Sequence, residues 1–239
     1  MTTKKRKVKK KPKSQLPKEL IYIPNADKHF HEEWQDGDDA LDFPHPFSCL
    51  LASGGKPNLR KTNTAKNIIV RQSPPFEKIL LIHCGGRVTK EWGDFNAELL
   101  EEIPHPYDDE IFDPKVKTLL ILEDLNFPDG FNEESRKRID RIYGYTSTHQ
   151  NLSIICTAQG FFSIPHMIRL MSNVIIVWKT QDMDSLETIR RRVDMKRPDW
   201  LYMFNNFIKK KHDSLWIDNT KNTPYPLRVN GYQIIKINY

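Results

Sequence analysis

The sequence predicts an α/β fold in which helices cover both faces of a mostly parallel β-sheet. Five runs of five or six residues are dense in Ile, Leu and Val without alternating in polarity, which is typical of strands buried on both faces. Segments with helical spacing lie between the runs, so right-handed crossovers join successive strands. The predicted strands are Phe47–Ala52, Ile79–His83, Thr118–Leu122, Leu152–Thr157 and Val174–Trp178.

Two of the connecting segments carry clear helix signals. Thr62–Arg71 follows the first predicted strand after a glycine-containing loop, and Glu133–Tyr143 is preceded by Asn132. An asparagine side chain in this place accepts hydrogen bonds from the free backbone N–H groups of a first helical turn. Asn132 is therefore a predicted N-cap.

Changes in composition divide the chain into three parts. Residues 1–18 are predicted to be a disordered basic tail, and residues 19–46, rich in Pro, His and Asp, an irregular lead-in. Residues 47–239 are the predicted folded domain. Its last part, from about residue 200, is expected to be short and β-rich, with strand-like pieces at Leu215–Ile217 and Tyr232–Ile237.

Length and composition restrict the class of protein. The chain has 239 residues, 38% of them hydrophobic, which is enough to bury a sizeable core. The sequence has no apolar run long enough to predict a membrane span and no apolar stretch after its cationic start to predict a signal peptide. Cys49, Cys84 and Cys156 are far apart and beside apolar residues, which indicates buried thiols in a reducing compartment rather than a zinc site.

The excess positive charge is confined to the tail. Nine Lys or Arg residues and no acid lie between positions 4 and 18; because the whole chain carries +6, the remainder carries −3. A block of like charge does not pack, and it can contact DNA phosphates, act as a nuclear address or only aid solubility. The predicted DNA contacts are Lys4, Lys5, Arg6, Lys7, Lys9, Lys10 and Lys11.

The first predicted strand runs into a candidate phosphate-binding loop. Read against G-x-x-x-x-G-K-[ST], the loop opens at Gly55 and closes with Lys61 and Thr62. In this register Lys61 reaches the β- and γ-phosphates of ATP, and Thr62 ligates Mg²⁺. The alternative is a loop with accidental glycines before an ordinary helix. The predicted ATP-binding residues are Gly55, Asn58, Arg60, Lys61, Thr62 and Asn63.

Arg60 stands where the motif has its second glycine. Glycine provides backbone conformations and a close approach that a side chain obstructs, at a cost of about 1–2 kcal/mol if φ must be positive. The arginine either weakens nucleotide binding or adds charge beside the phosphates. The sequence leaves both alternatives open.

Polar residues follow two further predicted strands. The third strand ends in Glu123 and Asp124, a Walker B arrangement in which one carboxylate holds Mg²⁺ and the other polarises the attacking water. By position Glu123 is the metal-side acid and Asp124 the catalytic one. The fourth strand leads to Gln159, an amide that can sense the γ-phosphate or orient water, although an ordinary loop residue is the commoner case.

These motifs follow one another in an informative order. The segments are Gly55-Lys56-Pro57-Asn58, Leu122-Glu123-Asp124-Leu125, Ser147 to Ser153 leading into Thr157-Ala158-Gln159, Ile164 to Arg169, and Ser172-Asn173-Val174. This order resembles that of viral DNA-packaging ATPases of the FtsK/HerA superfamily, from the adenovirus-like, poxvirus-like and tailless-phage lineages. The resemblance covers about residues 47–179 and departs at Arg60 and at Tyr145–Thr148.

The resemblance implies a RecA-like P-loop NTPase fold and ATP-driven movement of double-stranded DNA. It further implies a homo-oligomeric ring, a pentamer or hexamer, at a capsid vertex or portal. The expected locations are the virion vertex and the interior of the host cell, where the basic tail favours the nucleus. Two other functions stay open: a non-hydrolysing DNA-binding or scaffold protein in which Arg60 spoils the site, and a helicase or plasmid-type ATPase.

Hydrolysis between ring subunits commonly uses an arginine from the neighbour to neutralise charge on the γ-phosphate. The candidates are Arg136, Arg138 and Arg141, on the helix after the acidic pair, and Arg169 beyond Gln159. We predict Arg141, because it lies nearest the loop that in the similar proteins approaches the neighbouring site. The alternative for each arginine is a solvated helix face.

Overall fold

A computed structural model describes residues 43–53, 61–83, 90–124, 132–220, 223 and 225–236. Within these residues the chain forms one nine-stranded sheet. The strands are β1 (Ser48–Ala52), β2 (Lys78–His83), β3 (Glu98–Leu99), β4 (Thr118–Glu123), β5 (Leu152–Ala158), β6 (Val174–Trp178), β7 (Ser214–Asp218), β8 (Leu227–Val229) and β9 (Gln233–Ile234).

The sheet has a parallel part and an antiparallel extension. Its strand order is β3-β2-β4-β5-β1-β6-β7-β8-β9. The first six strands in this order run parallel, and β7, β8 and β9 pair antiparallel beyond β6. Since β5 separates β1 from β4, the carboxyl ends of these three strands are neighbours at one edge of the sheet.

Helices cover the sheet on both sides. They are α1 (Lys61–Val70), α2 (Lys90–Gly93), α3 (Glu133–Arg141), α4 (Ser147–His149), α5 (His166–Met171), α6 (Met183–Arg192) and α7 (Arg197–Phe207). A π-helical turn, Ile142–Thr146, joins α3 to α4. Asn132 is the N-cap of α3, as predicted, and its side chain accepts a hydrogen bond from the Ser135 backbone N–H at 2.8 Å. Within the described residues, no helix has both the length and the apolarity needed to cross a bilayer.

Two hydrophobic cores occupy the two faces of the sheet. Successive residues of β1 pack into opposite cores: Leu50 belongs to one core, and Leu51 to the other. Ile68 of α1 packs into the core that contains Leu51, whereas Ile139 of α3 and Trp200 of α7 pack into the core that contains Leu50. Burial on both faces explains why the strand sequences do not alternate in polarity. The predicted helix-covered parallel sheet is confirmed.

The part of the chain that was expected to be β-rich from about residue 200 begins with a helix. Helix α7 runs to Phe207, and the first antiparallel strand begins at Ser214. The predicted piece Leu215–Ile217 lies within β7, whereas Tyr232–Ile237 contributes only Gln233–Ile234 as strand, and its last residue lies outside the described part. β8 was not predicted, because a strand of three residues centred on an arginine carries no apolar signal.

A buried ion pair ties β8 to β7. Arg228 donates to Asp218 Oδ2 at 2.8 Å, and their side chains are only 1% and 2% exposed. The Asp218 carboxylate also accepts from the hydroxyls of Thr220 and Thr223. The Arg228 guanidinium lies 5.1 Å from the ring centre of Phe43. Buried charges need such paired and hydrogen-bonded partners, so this cluster anchors the antiparallel extension.

Cys49 and Cys156 lie buried on the adjacent strands β1 and β5, and both thiols are free. Burial raises the pKa of the Cys156 thiol to about 12. Both cysteines are therefore inert, protonated core residues. The prediction of buried thiols is confirmed for these two; Cys84 lies outside the described residues.

Candidate functional site

The candidate site lies at the carboxyl edge of the parallel strands. Lys61 and Thr62 are the first two residues of α1, Glu123 is the last residue of β4, and Asp124 follows it. In sequence the two pairs are about sixty residues apart. Parallel strands bring them together, because all their carboxyl ends reach the same edge of the sheet.

Two direct contacts join these pairs. Lys61 Nζ donates to Asp124 Oδ1 at 2.5 Å, and the side chains are 12% and 38% exposed. Thr62 Oγ1 donates to Glu123 Oε1 at 2.7 Å. Glu123 is only 5% exposed. The four residues predicted from two separate motifs thus form one polar cluster, with Asp124 on its solvent side.

The backbone at Asp124 makes this arrangement possible. Side chains of consecutive strand residues point to opposite faces, so Glu123 and Asp124 would diverge if β4 continued. Asp124 instead adopts a left-handed conformation with φ 45°, which Asp tolerates better than most residues. Its N–H donates to the hydroxyl of Thr157 on β5 at 3.0 Å. The turn therefore aims both carboxylates at α1.

Trp92 of α2 is a member of the cluster that the sequence did not predict. It is fully buried, and its indole Nε1 donates to Glu123 Oε2 at 2.5 Å. Both carboxylate oxygens of Glu123 consequently accept a hydrogen bond, one from Thr62 and one from Trp92. A single tryptophan within a four-residue helix has no sequence pattern that marks it as a site residue.

Gln159 lies at the same edge, immediately after β5, and its side chain is exposed. Ser53, immediately after β1, holds the neighbouring backbone: its hydroxyl donates to the carbonyl of Gln159 at 3.1 Å, and its N–H to the carbonyl of Ala158 at 3.2 Å. These two bonds join the tips of β1 and β5 beside Gln159. Its predicted role toward the γ-phosphate stays a prediction.

Asn63 follows Thr62 in α1. It is exposed and, with Asn67 on the next turn of α1, lines a cavity of about 500 Å³. Trp178, Trp216 and Tyr232 line the cavity on the side of the antiparallel extension. The wall of this cavity therefore includes Asn63, the residue next to Thr62.

The predicted arginines lie in different surroundings. Arg138 is used within its own chain, donating to the Ile103 carbonyl at 2.9 Å and pairing with Glu134 at 3.2 Å. Arg169 donates to the Ile164 carbonyl at 3.1 Å, and burial lowers its pKa.

Arg141 is exposed and is the last residue of α3. Its guanidinium lies 5.9 Å from the ring centre of Tyr107. Arg136, another candidate, is exposed on the same helix. The role of Arg141 in a neighbouring site stays a prediction.

Several predicted residues lie outside the described part of the chain. These are Gly55, Asn58 and Arg60 of the loop and the basic residues Lys4, Lys5, Arg6, Lys7, Lys9, Lys10 and Lys11.

The chain is similar in structure to viral genome-packaging NTPases. The DNA-packaging ATPase B204 from Sulfolobus turreted icosahedral virus has a TM-score of 0.55 and 11% identity, over 80% of this chain and 100% of that chain. B204 from Sulfolobus turreted icosahedral virus 2 has a TM-score of 0.54 and 15% identity in complex with sulfate, over 80% of this chain and 99% of that chain. Its ATP-γS complex has a TM-score of 0.50 and 16% identity over the same shares.

This chain has a RecA-like P-loop NTPase fold. The resemblance to viral packaging ATPases that the motif order indicated is confirmed at the level of the fold. The amino-acid sequence matches no family model and no curated protein. Identities of 11% to 16% leave the activity to be argued from the site itself.

Within this P-loop fold, the oxygen atoms of Thr62 and Glu123 fit Mg²⁺. The ion prefers oxygen ligands and is commonly held by one or two carboxylates together with substrate phosphates and water. The Thr62 hydroxyl and the Glu123 carboxylate are adjacent, 2.7 Å apart, where α1 begins. The chemistry and placement of these donors suit the predicted metal site.

Proposed function

We propose that this chain is a Mg²⁺-dependent ATPase that drives double-stranded DNA into a preformed viral capsid. The observation that carries the proposal is the contact of Lys61 and Thr62 with Asp124 and Glu123 at the strand edge. A phosphate-binding cation, a metal-ligating hydroxyl and two carboxylates are the parts that phosphoryl transfer to water requires. The similarity of the fold to packaging NTPases, one of them in complex with ATP-γS, supports the same activity.

The residues of α1 bind the phosphates. Lys61 has its ammonium group at the edge of the sheet and only 12% of its side chain exposed, so it meets the γ-phosphate with little competition from water. The first turn of α1 adds backbone N–H groups that can donate to a phosphate and the positive end of the helix dipole. Asn63, which lines the adjoining cavity, is the proposed contact for the remainder of the nucleotide.

Glu123 and Asp124 have different proposed roles. Glu123, buried and hydrogen-bonded through both oxygens, is rigid and holds its charge toward Thr62. When bound there, Mg²⁺ supplies charge neutralisation for the β- and γ-phosphates. Asp124 is the more exposed acid; it orients the attacking water and accepts its proton. Gln159 at the next strand tip senses the γ-phosphate.

The proposed function also requires contacts with DNA and with other subunits. The tail cations from Lys4 to Lys18 contact DNA phosphates or direct the protein to the nucleus of the host cell. A ring of five or six copies at the capsid vertex places Arg141 of one subunit against the nucleotide of the next. The similarity of the fold to genome-packaging NTPases supports the DNA-packaging part of this proposal.

The test is phosphate release from ATP by the full chain, with and without double-stranded DNA. The proposal expects Mg²⁺-dependent release that DNA stimulates, and loss of release in Lys61→Ala. Lys137→Ala is the matched control, because Lys137 is a 71% exposed lysine that pairs only with Glu133 of its own helix turn among the described residues. Nucleotide-dependent DNA binding without phosphate release would overturn the proposal of an ATP-driven motor. It would favour a non-hydrolysing DNA-binding or scaffold protein.

A second measurement separates packaging from other DNA motors. The chain is mixed with procapsids, and the bound fraction is measured by co-sedimentation in the presence of ATP. Association that depends on nucleotide supports the packaging role. Phosphate release without any association identifies a helicase or plasmid-type ATPase instead.

A further inference from the structure

The carboxylate of Glu123 is held from two sides by neutral donors. Thr62 donates to Oε1 at 2.7 Å, and the Trp92 indole donates to Oε2 at 2.5 Å. A lysine or arginine in the place of Trp92 would also orient the carboxylate, but its positive charge would weaken the attraction for a cation. The indole N–H fixes the direction of the carboxylate and leaves its negative charge available.

Trp92 is itself held rigidly. It is 0% exposed and belongs to the core that contains Leu81 and Ile121. The Phe95 ring packs against the indole edge at a centroid distance of 6.0 Å and an angle of 63°. A packed indole has one N–H, one direction of donation and no acceptor. The bond to Glu123 therefore sets the orientation of the carboxylate plane.

We propose that Trp92 is a positioning residue for the Mg²⁺ site: by holding Oε2 of Glu123, it presents Oε1 beside the Thr62 hydroxyl, where the ion binds. The inference rests on the proposed function, since it assigns Glu123 to the metal. Partners that orient a metal-ligating carboxylate commonly change metal affinity or activity by about 10- to 100-fold when they are removed. Trp92 acts through Glu123 and touches neither nucleotide nor metal.

The test compares two tryptophan-to-phenylalanine variants. Trp92→Phe keeps an aromatic ring and removes the donor. Trp200→Phe is the matched control: Trp200 is 1% exposed, packs in the opposite core, and its indole N–H has no hydrogen-bond partner among the described residues. Binding of a fluorescent ATP analogue to the full chain is titrated with and without Mg²⁺, alongside thermal unfolding.

We expect Trp92→Phe to raise the Mg²⁺ concentration for half-maximal tight binding by about 10-fold or more, while affinity for the metal-free nucleotide stays the same. Trp200→Phe lowers the unfolding temperature and leaves the Mg²⁺ requirement unchanged. An equal loss of affinity with and without Mg²⁺ in Trp92→Phe, or an unchanged Mg²⁺ requirement, would overturn the inference.

If Trp92→Phe does not fold, 3-benzothienylalanine at position 92 replaces it, since this analogue keeps the bicyclic shape and has sulfur in place of the N–H. The same rise in the Mg²⁺ requirement supports the inference, and a wild-type requirement overturns it. A wild-type chain that binds no nucleotide at any Mg²⁺ concentration would instead overturn the proposed function, and this inference with it.

Discussion

Replacing Asp124 by asparagine should make ATP bind more tightly while turnover is lost. In the free chain the Asp124 carboxylate holds the Lys61 ammonium at 2.5 Å. The γ-phosphate needs the same ammonium, so nucleotide binding must break this ion pair. Asparagine has the same shape and adopts the left-handed backbone, here φ 45°, at least as readily as aspartate. The substitution therefore removes the competing charge without disturbing the turn.

The magnitude follows from the burial of the pair. Exposed ion pairs contribute about 0.2–1 kcal/mol, and breaking a fully buried pair costs about 3–5 kcal/mol. Lys61 is 12% exposed and Asp124 38% exposed, so a competing free energy of about 1–2 kcal/mol is reasonable, nearer the exposed limit because Asp124 reaches solvent. At 1.4 kcal/mol for a factor of ten, ATP binds about 5- to 30-fold more tightly. Losing the general base lowers kcat by about 10²–10⁴.

The assay measures ATP affinity and turnover separately. Equilibrium binding of a fluorescent ATP analogue in the presence of Mg²⁺ gives Kd, and steady-state phosphate release gives kcat. If Asp124 competes with ATP for Lys61, Kd and kcat both fall in the variant. If the site is damaged, the nucleotide binds less tightly and Kd rises. Asp94→Asn is the matched control, since Asp94 is exposed and outside the cluster.

Two results would refute the reasoning. Unchanged or weaker ATP binding by Asp124→Asn would mean that the phosphates do not compete for Lys61. A kcat equal to that of the wild type would remove Asp124 from the role of catalytic acid and leave Glu123 to supply it.

Three further predictions concern stability, DNA and assembly. Asp218→Asn removes the carboxylate that pairs with the buried Arg228 and should lower the free energy of unfolding by about 3–5 kcal/mol; a loss below about 1 kcal/mol in urea denaturation would mean that the pair adds little. Deleting residues 1–18 should weaken binding to double-stranded DNA and reduce the salt slope by about 0.9 for each lost phosphate contact, whereas an unchanged slope assigns the tail to targeting or solubility. Arg141→Ala should bind ATP normally, lose turnover by about 10³-fold or more, and regain part of it when mixed with Lys61→Ala subunits; full activity alone, or lost ATP binding, excludes the role in trans.

The strands and the acidic cluster were predictable because their signals are local. The parallel strands β1, β4, β5 and β6 are buried along their whole length, so a run such as Val174–Trp178 is apolar throughout. Polar residues directly after such runs must reach one edge of the sheet, which places Glu123 and Asp124 near Lys61. The helix predicted over Glu133–Tyr143 instead becomes π-helical after Arg141. Ile142 and Tyr143 of this turn are buried in the core, and side-chain periodicity does not distinguish a π-helical turn from an α-helix.

The amino-acid sequence by itself determined the α/β class, the candidate phosphate-binding residues and the acids that follow the third predicted strand, since each depends on residue type over a few consecutive positions. Only the tertiary structure decided which residues complete these groups. Trp92 meets Glu123 across 31 positions, and Arg228 meets Asp218 across 10 positions on the antiparallel strands β8 and β7. A single donor or a single charge is common at any position along a chain, so its partner is specified by strand order and packing rather than by neighbouring residues.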